Sequence, residues 1–424
     1  MPEGASPKAA SAEVAAAVAE AHRREWAFVL AATVRVAGDI DTAEEAVQDA
    51  YASALATWGA RGIPSNPGAW LTTAARRRAL DLLRREATAR RALPKLVEPE
   101  PPPVDEQADA AAAIPDDRLA LIFTCCHPAL AVDTQVALTL RLLCGLSTAD
   151  VARAFLVPEP TMAARITRAK KKIATAGIPY RVPDARELGP RLDGVLSVVH
   201  LVYTTGHTAP FGADLMPRDL AERGHELARL LRALLPDDPD VAGLLALVVL
   251  TEARRDARVD TAGDLVLMED QDRSRWNQRG IAEGTTLVRE ALRARPPGRF
   301  ALMAAIAAVH DESPSWSATD WGEILGLYDL LAEIWVSPVV RLNRAIALGF
   351  AVGPAEALVE LDDLAADPRL ARYPYLAAAR ADMLQRLGRS REARLAYEEA
   401  IILTDNAAEQ DFLRRRLETM DSTS

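Results

Sequence analysis

Two short segments concentrate the chemistry of this chain, and both offer it as fixed positive charge. From Arg76 to Lys95 eight basic residues stand against two acids, and from Thr161 to Lys172 five stand against none. Arginine keeps its charge at physiological pH and donates paired hydrogen bonds from a planar fork, which suits phosphate oxygens. Lysine is rare, five against 45 arginines, yet three of the five are Lys170, Lys171 and Lys172. Such a cluster fits anchoring on a phosphate backbone better than base reading. The net charge of −10 argues at first against a polyanionic partner. Its distribution reverses that argument, because residues 1–178 balance 21 basic against 21 acidic side chains while residues 179–424 hold 29 against 39. The acidic excess lies wholly in the C-terminal part, and the N-terminal part is free to meet nucleic acid.

The basic residues need elements to position them. Ser147-Thr-Ala-Asp150 has the pattern of a helix cap, followed by Val151, Ala152 and Phe155 as an inward face. Leu156-Val157-Pro158 makes a turn and Pro160 starts a second helix. On that helix Met162, Ile166, Ala169 and Ile173 form an apolar stripe, and Thr161, Arg165, Arg168 and Lys172 form a basic one beside it. This is the layout of a helix-turn-helix whose second helix enters a major groove. Upstream, Asp41-Thr-Ala-Glu44 reads as another cap. It opens an amphipathic helix with Ala43, Val47, Ala50, Tyr51, Ala54, Leu55 and Trp58 inward and Glu44, Glu45, Gln48 and Asp49 outward. Asn66-Pro67 then begins a helix that mixes Trp70, Leu71 and Leu82 with Arg76, Arg77, Arg78, Arg84 and Arg85. An aromatic ring beside clustered arginines suits holding a backbone while unstacked bases lie nearby.

In this order, an acidic helix (DIDTAEEAVQDAYASALATW), an arginine-rich helix (NPGAWLTTAARRRALDLLRR), a proline-rich acidic linker and a helix-turn-helix (LSTADVARAFLVPEPTMAARITRAKKKI), the chain resembles regions 2 and 4 of the sigma-70 family. The short linker resembles that of the extracytoplasmic-function (ECF) branch. The resemblance implies a non-enzymatic factor that binds core RNA polymerase and promoter DNA, with no cofactor and no metal. It implies that Asp41, Glu44, Glu45, Gln48 and Asp49 meet the clamp helices of the polymerase β′ subunit, with the β flap as a further contact. Trp70, Arg76, Arg77, Arg78, Asp81, Arg84 and Arg85 would engage and melt the −10 element. Thr161, Arg165, Arg168, Lys170, Lys171 and Lys172 would read the −35 element. Many relatives carry asparagine where this chain has Arg77 or Arg78, and polar residues in place of Ala163 and Ala164.

The expected fold is all-α. It comprises an N-terminal tail (1–22), a region 2 helical domain (23–92), a flexible linker (93–113), a region 4 helix-turn-helix domain (114–178) and a C-terminal helical-hairpin domain (179–424). The last contains a segment, YPYLAAARADMLQRLGRSREARLAYEEAIIL, that resembles a tetratricopeptide (TPR) repeat with Ala393, Tyr397 and Ala400 on its packing face. Weaker copies place Gly353, Ala357, Leu361 and Leu364, and then Trp321, Leu325 and Tyr328, in the matching slots, a spacing that suggests stacked hairpins. The whole C-terminal region resembles the extension of one ECF group, which implies a role in control and a possible regulatory protein partner.

Three C-terminal segments carry acid–base side chains: His200 with His207, Glu269-Asp-Gln-Asp272 followed by Arg273 and Trp276, and His310-Asp311-Glu312. No phosphate loop, His-Glu-x-x-His or nucleophile elbow accompanies them, so they read as ion-paired structure. Cys125, Cys126 and Cys144 are odd in number and irregular in spacing, which fits buried thiols in a reducing compartment. With no apolar run near ~20 residues and no signal-like N-terminus, a cytoplasmic protein away from membranes is expected. The competing expectation is a one-component regulator that binds operators and senses a ligand or partner. Such a protein has no need of the acidic and arginine-rich helices ahead of its DNA reader.

Overall fold

The computed structural model describes residues 7–92, 117–155, 157–207, 216–260, 265–404 and 406–422. These are helical, and their β pairing is a single bridge between Val259 and Leu265. The expected linker at 93–113 and Leu156 of the expected turn lie outside the described residues. The chain divides into two compact units, Met1–Val198 and Val199–Ser424. The division falls beyond residue 178 because the segment after it packs back on the first unit. The Tyr180 hydroxyl donates to the carbonyls of Ala31 and Asp117 at 3.0 and 3.2 Å, and Arg191 donates to that of Phe123 at 2.7 Å.

The first unit contains α1 (Pro7–Ala37), α2 (Ile40–Arg61), α3 (Pro67–Ala92), α4 (Asp117–Cys125), α5 (Val132–Leu138), α6 (Thr148–Ala154) and α7 (Glu159–Thr175). The segment expected as a tail is helical from Pro7, because Val14, Val18 and Ala21 recur on one face and are buried. Helix α2 starts earlier than its sequence suggests: Asp39, not Asp41, caps it by accepting from the Thr42 amide at 2.8 Å. Its apolar stripe is buried except for Leu55, which is 53% exposed. Asn66 caps α3 as expected, accepting from the Ala69 amide at 3.0 Å. Helices α1, α2 and α3 pack against one another, and α4 with the π turn Thr139–Leu143 lies on α1.

Trp26 is the hinge pin of that second contact. Its indole is buried and donates to the Leu142 carbonyl at 3.0 Å. Gly145 follows with φ +69°, a left-handed backbone that favours glycine, and a Cβ there would fall 2.9 Å from the His22 ring. Cys125, Cys126 and Cys144 are all buried as free thiols, and burial pushes the Cys126 thiol up to about 12.

Helix α8 (Ala185–His207) leads into the second unit of α9 (Met216–Leu234), α10 (Pro239–Ala253), α11 (Gln278–Ala291), α12 (Arg299–Glu312), α13 (Trp321–Ile334), α14 (Pro338–Ala351), α15 (Pro354–Leu364), α16 (Pro374–Arg386), α17 (Ser390–Leu403) and α18 (Ala407–Ser422). Its cores follow one another along the chain. One joins Ile306, Ile324, Leu331 and Val340 of α12–α14. The next joins Leu342, Leu361, Leu364 and Met383 of α14–α16, and the last joins Ala381, Ala393, Tyr397 and Leu413 of α16–α18. Ala393, Tyr397, Ala400, Ala357, Leu361 and Leu364 are buried where the sequence pattern put them. In α13 the frame differs: Ile324 and Leu331 fill the core, while Trp321, Leu325 and Tyr328 are half-buried beside it. Bulky rings fit the margin of that contact better than its centre.

Where α10 crosses α12 the backbones nearly touch, and a Cβ at Gly243 would lie 2.6 Å from the Ala301 nitrogen. Gly243→Ala is expected to lower the stability of this unit by about 1–3 kcal/mol, read as a lower thermal midpoint. Gly326→Ala, at a helical glycine with open space around it, should change stability by less than about 1 kcal/mol, in the stabilising direction.

Candidate nucleic-acid interface

The helix-turn-helix is built from local rules. Ser147 accepts from the Asp150 amide at 3.1 Å while Asp150 accepts from the Ser147 amide at 3.2 Å, a reciprocal capping box. Helix α7 begins at Glu159 rather than Pro160, with Pro158 outside it and Pro160 in its first turn. Met162, Ile166, Ala169 and Ile173 are all buried, which turns Thr161, Arg168, Lys171 and Lys172 outward. Arg165 is half-buried, its guanidinium 5.5 Å from the centroid of the half-buried Phe155 ring. Lys172 reaches the Ala129 carbonyl at 2.5 Å, an exposed contact that water or a phosphate oxygen can replace.

The arginines of α3 are spread over its outer faces. Arg76, Arg77, Arg84 and Arg85 are exposed, with Asp81 held near Arg84 at 3.3 Å. Arg78 is half-buried and pairs with Asp49 of α2 at 2.5 Å. Trp70 is half-buried and meets the buried Trp58 edge-on at 5.5 Å. On α2, Asp41, Glu45, Gln48 and Asp49 are exposed.

Glu44 departs from the helical stripe that grouped it with those outward acids. It is buried, 4% exposed, and pairs with Arg141 at 2.7 Å and with Lys170. Lys170 also pairs with Asp41 at 2.7 Å. Burial alone would weaken the charge on Lys170, but the carboxylates of Glu44 and Asp41 outweigh it and raise its pKa. So Lys170, grouped by sequence with the free amines of α7, is held by α2 instead. Arg141 was not singled out in the sequence, since nothing near it marks it as the partner of a glutamate in a different helix block. It also lies 5.9 Å from the Trp26 ring, on the same joint.

Two of the C-terminal segments meet in a partly buried polar network around Asp311. Asp311 pairs with Arg254 at 3.0 Å, and burial nevertheless pushes its carboxyl up to about 6. Arg273 donates to the carbonyls of His310 and Ser313 at 2.6 and 2.5 Å and stacks on Trp276 at 4.4 Å. His200 sits against Phe300, and burial lowers its pKa to about 4. The side chain of His207 lies outside the described residues. Among the described residues no group of three or more His, Cys, Asp or Glu side chains has a metal-holding arrangement. None of their helices is long and apolar enough to cross a membrane.

Comparison with known proteins agrees with this geometry. Residues 22–89 match the model of Sigma-70 region 2 and residues 120–173 that of Sigma-70, region 4, while residues 191–292 match a family of unknown function, DUF6596. An uncharacterized protein of Rhizobium meliloti (strain 1021) is 41% identical over 393 residues, 92% of this chain and 92% of that protein. No solved structure matches. The chain belongs to the sigma-70 family of sigma factors, and its regions 2 and 4 are those of promoter recognition and transcription initiation.

Removing Glu44 would leave Arg141 without its carboxylate and Lys170 with Asp41 alone in a poorly solvated joint. Glu44→Ala is expected to destabilise the first unit by about 3 kcal/mol, and Lys170→Met by less, because Arg141 still neutralises Glu44. A double-mutant cycle followed by urea unfolding measures the coupling; additive effects would show that the pair is not formed in solution.

Proposed function

We propose that this chain is a sigma factor of the ECF type that binds core RNA polymerase, recognises −35 and −10 promoter elements and assists strand opening, with a C-terminal domain that controls its activity. It performs no covalent chemistry and works in the cytoplasm, where its polymerase and DNA partners are. What carries the reading is the pairing, in one chain, of a helix-turn-helix with an outward basic face and a second helix lined by exposed arginines. In this reading Thr161, Arg165, Arg168, Lys171 and Lys172 face the −35 element, the lysines on its backbone. Trp70, Arg76, Arg77, Arg78, Asp81, Arg84 and Arg85 serve the −10 element. Glu45, Gln48 and Asp49 of α2 meet the polymerase clamp, joined by Asp41 and Glu44 once Lys170 lets them go. The C-terminal unit supplies TPR-like stacked hairpins, whose successive cores suit binding a regulatory protein.

The test is co-purification of the full chain with bacterial core RNA polymerase. Glu45→Lys combined with Asp49→Lys is expected to abolish capture, since both acids are exposed on one helix and reversal meets like charge. Lys170→Met is expected to strengthen capture a few-fold, because Asp41 and Glu44 no longer spend their charge on it. Capture that neither change alters would sink the assignment of α2 as the polymerase contact.

On a promoter fragment, Arg168→Ala and Lys171→Ala should each weaken binding by about tenfold or less and reduce its salt dependence by about one counterion per lost phosphate contact. Electrophoretic mobility shifts across a salt series measure both. An unchanged salt slope would remove α7 from the DNA backbone.

A further inference from the structure

The second unit holds a cavity of about 290 Å³ that promoter recognition does not use. Its walls include Met268 and Glu269 from the 265–272 segment, Trp316 and Phe350, and two arginines, Arg386 of α16 and Arg416 of α18. That volume stands at the lower edge of the ~300–1,000 Å³ usual for small-molecule sites.

The two cations are held in place with donors to spare. Asp382 accepts from the Nε of Arg386 at 2.8 Å, and the guanidinium lies 4.3 Å from the centroid of Phe350. Glu269 accepts from one terminal nitrogen of Arg416 at 2.7 Å. Among the described residues, both terminal nitrogens of Arg386, and the Nε and second terminal nitrogen of Arg416, make no hydrogen bond. The aromatic wall is equally fixed. Phe350 stacks on Trp321 at 4.3 Å and takes the edge of Trp316 at 5.3 Å.

A second observation concerns the non-helical wall. The 265–272 segment is pinned by groups that are costly to bury. Gln271 donates to the Val266 carbonyl at 3.1 Å, and the Arg254 that pairs with buried Asp311 also reaches the Met268 sulfur at 3.8 Å. A stack of helical hairpins can close on apolar residues alone. The Arg254–Asp311 pair thus bears on Met268, while Glu269 is held by Arg416.

We propose that this cavity is a binding site for a small molecule with a flat unsaturated body and a single carboxylate-type anionic group. The body fills the space beside Trp316, Phe350 and Met268, and the anion accepts from the unused nitrogens of Arg386 and Arg416. A neutral ligand would leave those donors covered and unpaired. Asp382 and Glu269 already balance the two arginines in charge, so the anion is drawn by the unused guanidinium donors, and a dianion would meet the repulsion of both carboxylates.

The experiment is calorimetric titration of the full chain with 2-naphthoate, against neutral 2-naphthamide and flexible octanoate. The expected result is one site for 2-naphthoate, with both comparison compounds weaker by about tenfold or more. Arg386→Gln should weaken 2-naphthoate by a similar factor with an unchanged circular dichroism spectrum. Should Arg386→Gln disturb folding, Trp316→Leu and Arg386→Lys supply the same comparison from the aromatic and the cationic side. No 2-naphthoate binding at millimolar concentration overturns the proposal. So does equal binding of the amide, or affinity that none of these substitutions changes. Polymerase and promoter are absent from the measurement, so its failure leaves the sigma-factor reading intact.

Discussion

Glu44 is the point on which the first unit turns. A carboxylate that is 4% exposed is costly to bury without partners, and it finds two, Arg141 from the π turn and Lys170 from α7. Around this charge the apolar joint is assembled: Trp26 against Leu142, Gly145 against His22, and Tyr180 bridging Ala31 and Asp117. Dispersion and apolar burial supply the adhesion, while the ion pairs fix which faces meet. The same contact consumes groups that function calls for, because Asp41 and Glu44 lie on the helix proposed to meet polymerase and Lys170 lies on the helix proposed to meet DNA.

That arrangement links stability to availability. A well-solvated ion pair contributes little, and exchanging it for an equivalent contact with a partner costs little. A pair that is mostly buried is different, since each charge must find a replacement as soon as the joint opens. Exposed Arg168 and Lys171 carry no such obligation, and neither do Glu45 and Gln48. The surface therefore divides into groups ready for immediate encounter and groups that become available only when α2 and α7 separate.

The second unit solves another problem. Successive cores, each drawn from three or four consecutive helices, keep a long chain packed through neighbouring elements. Against that economical background the network of Arg254, Arg273, His310 and Asp311 stands out. It buries charge to hold an irregular segment, and rings from Trp316, Trp321 and Phe350 stack alongside.

Much of this was legible in the residues. The capping box at Ser147 and the buried stripe of Met162, Ile166, Ala169 and Ile173 follow from helical periodicity and local hydrogen bonding, which depend on neighbours three and four positions away. So do the Asn66 cap, the exposed arginines of α3 and the packing face of Ala393, Tyr397 and Ala400. The true cap at Asp39, the exposure of Leu55 and the helix in the first residues were less legible, because element ends and stripe edges depend on what packs against them. Glu44 and Lys170 were beyond periodicity altogether. Each sits on a helix whose own pattern allows an outward side chain, and only the approach of a second helix, distant in sequence, turns that face inward. The sequence by itself determined the capped helices of the helix-turn-helix, which stripes are apolar and where basic charge collects, since those are short-range matters. The tertiary structure decided which charges are spent on one another and where a cavity remains, because Coulomb pairing and burial depend on distances that only the folded chain sets.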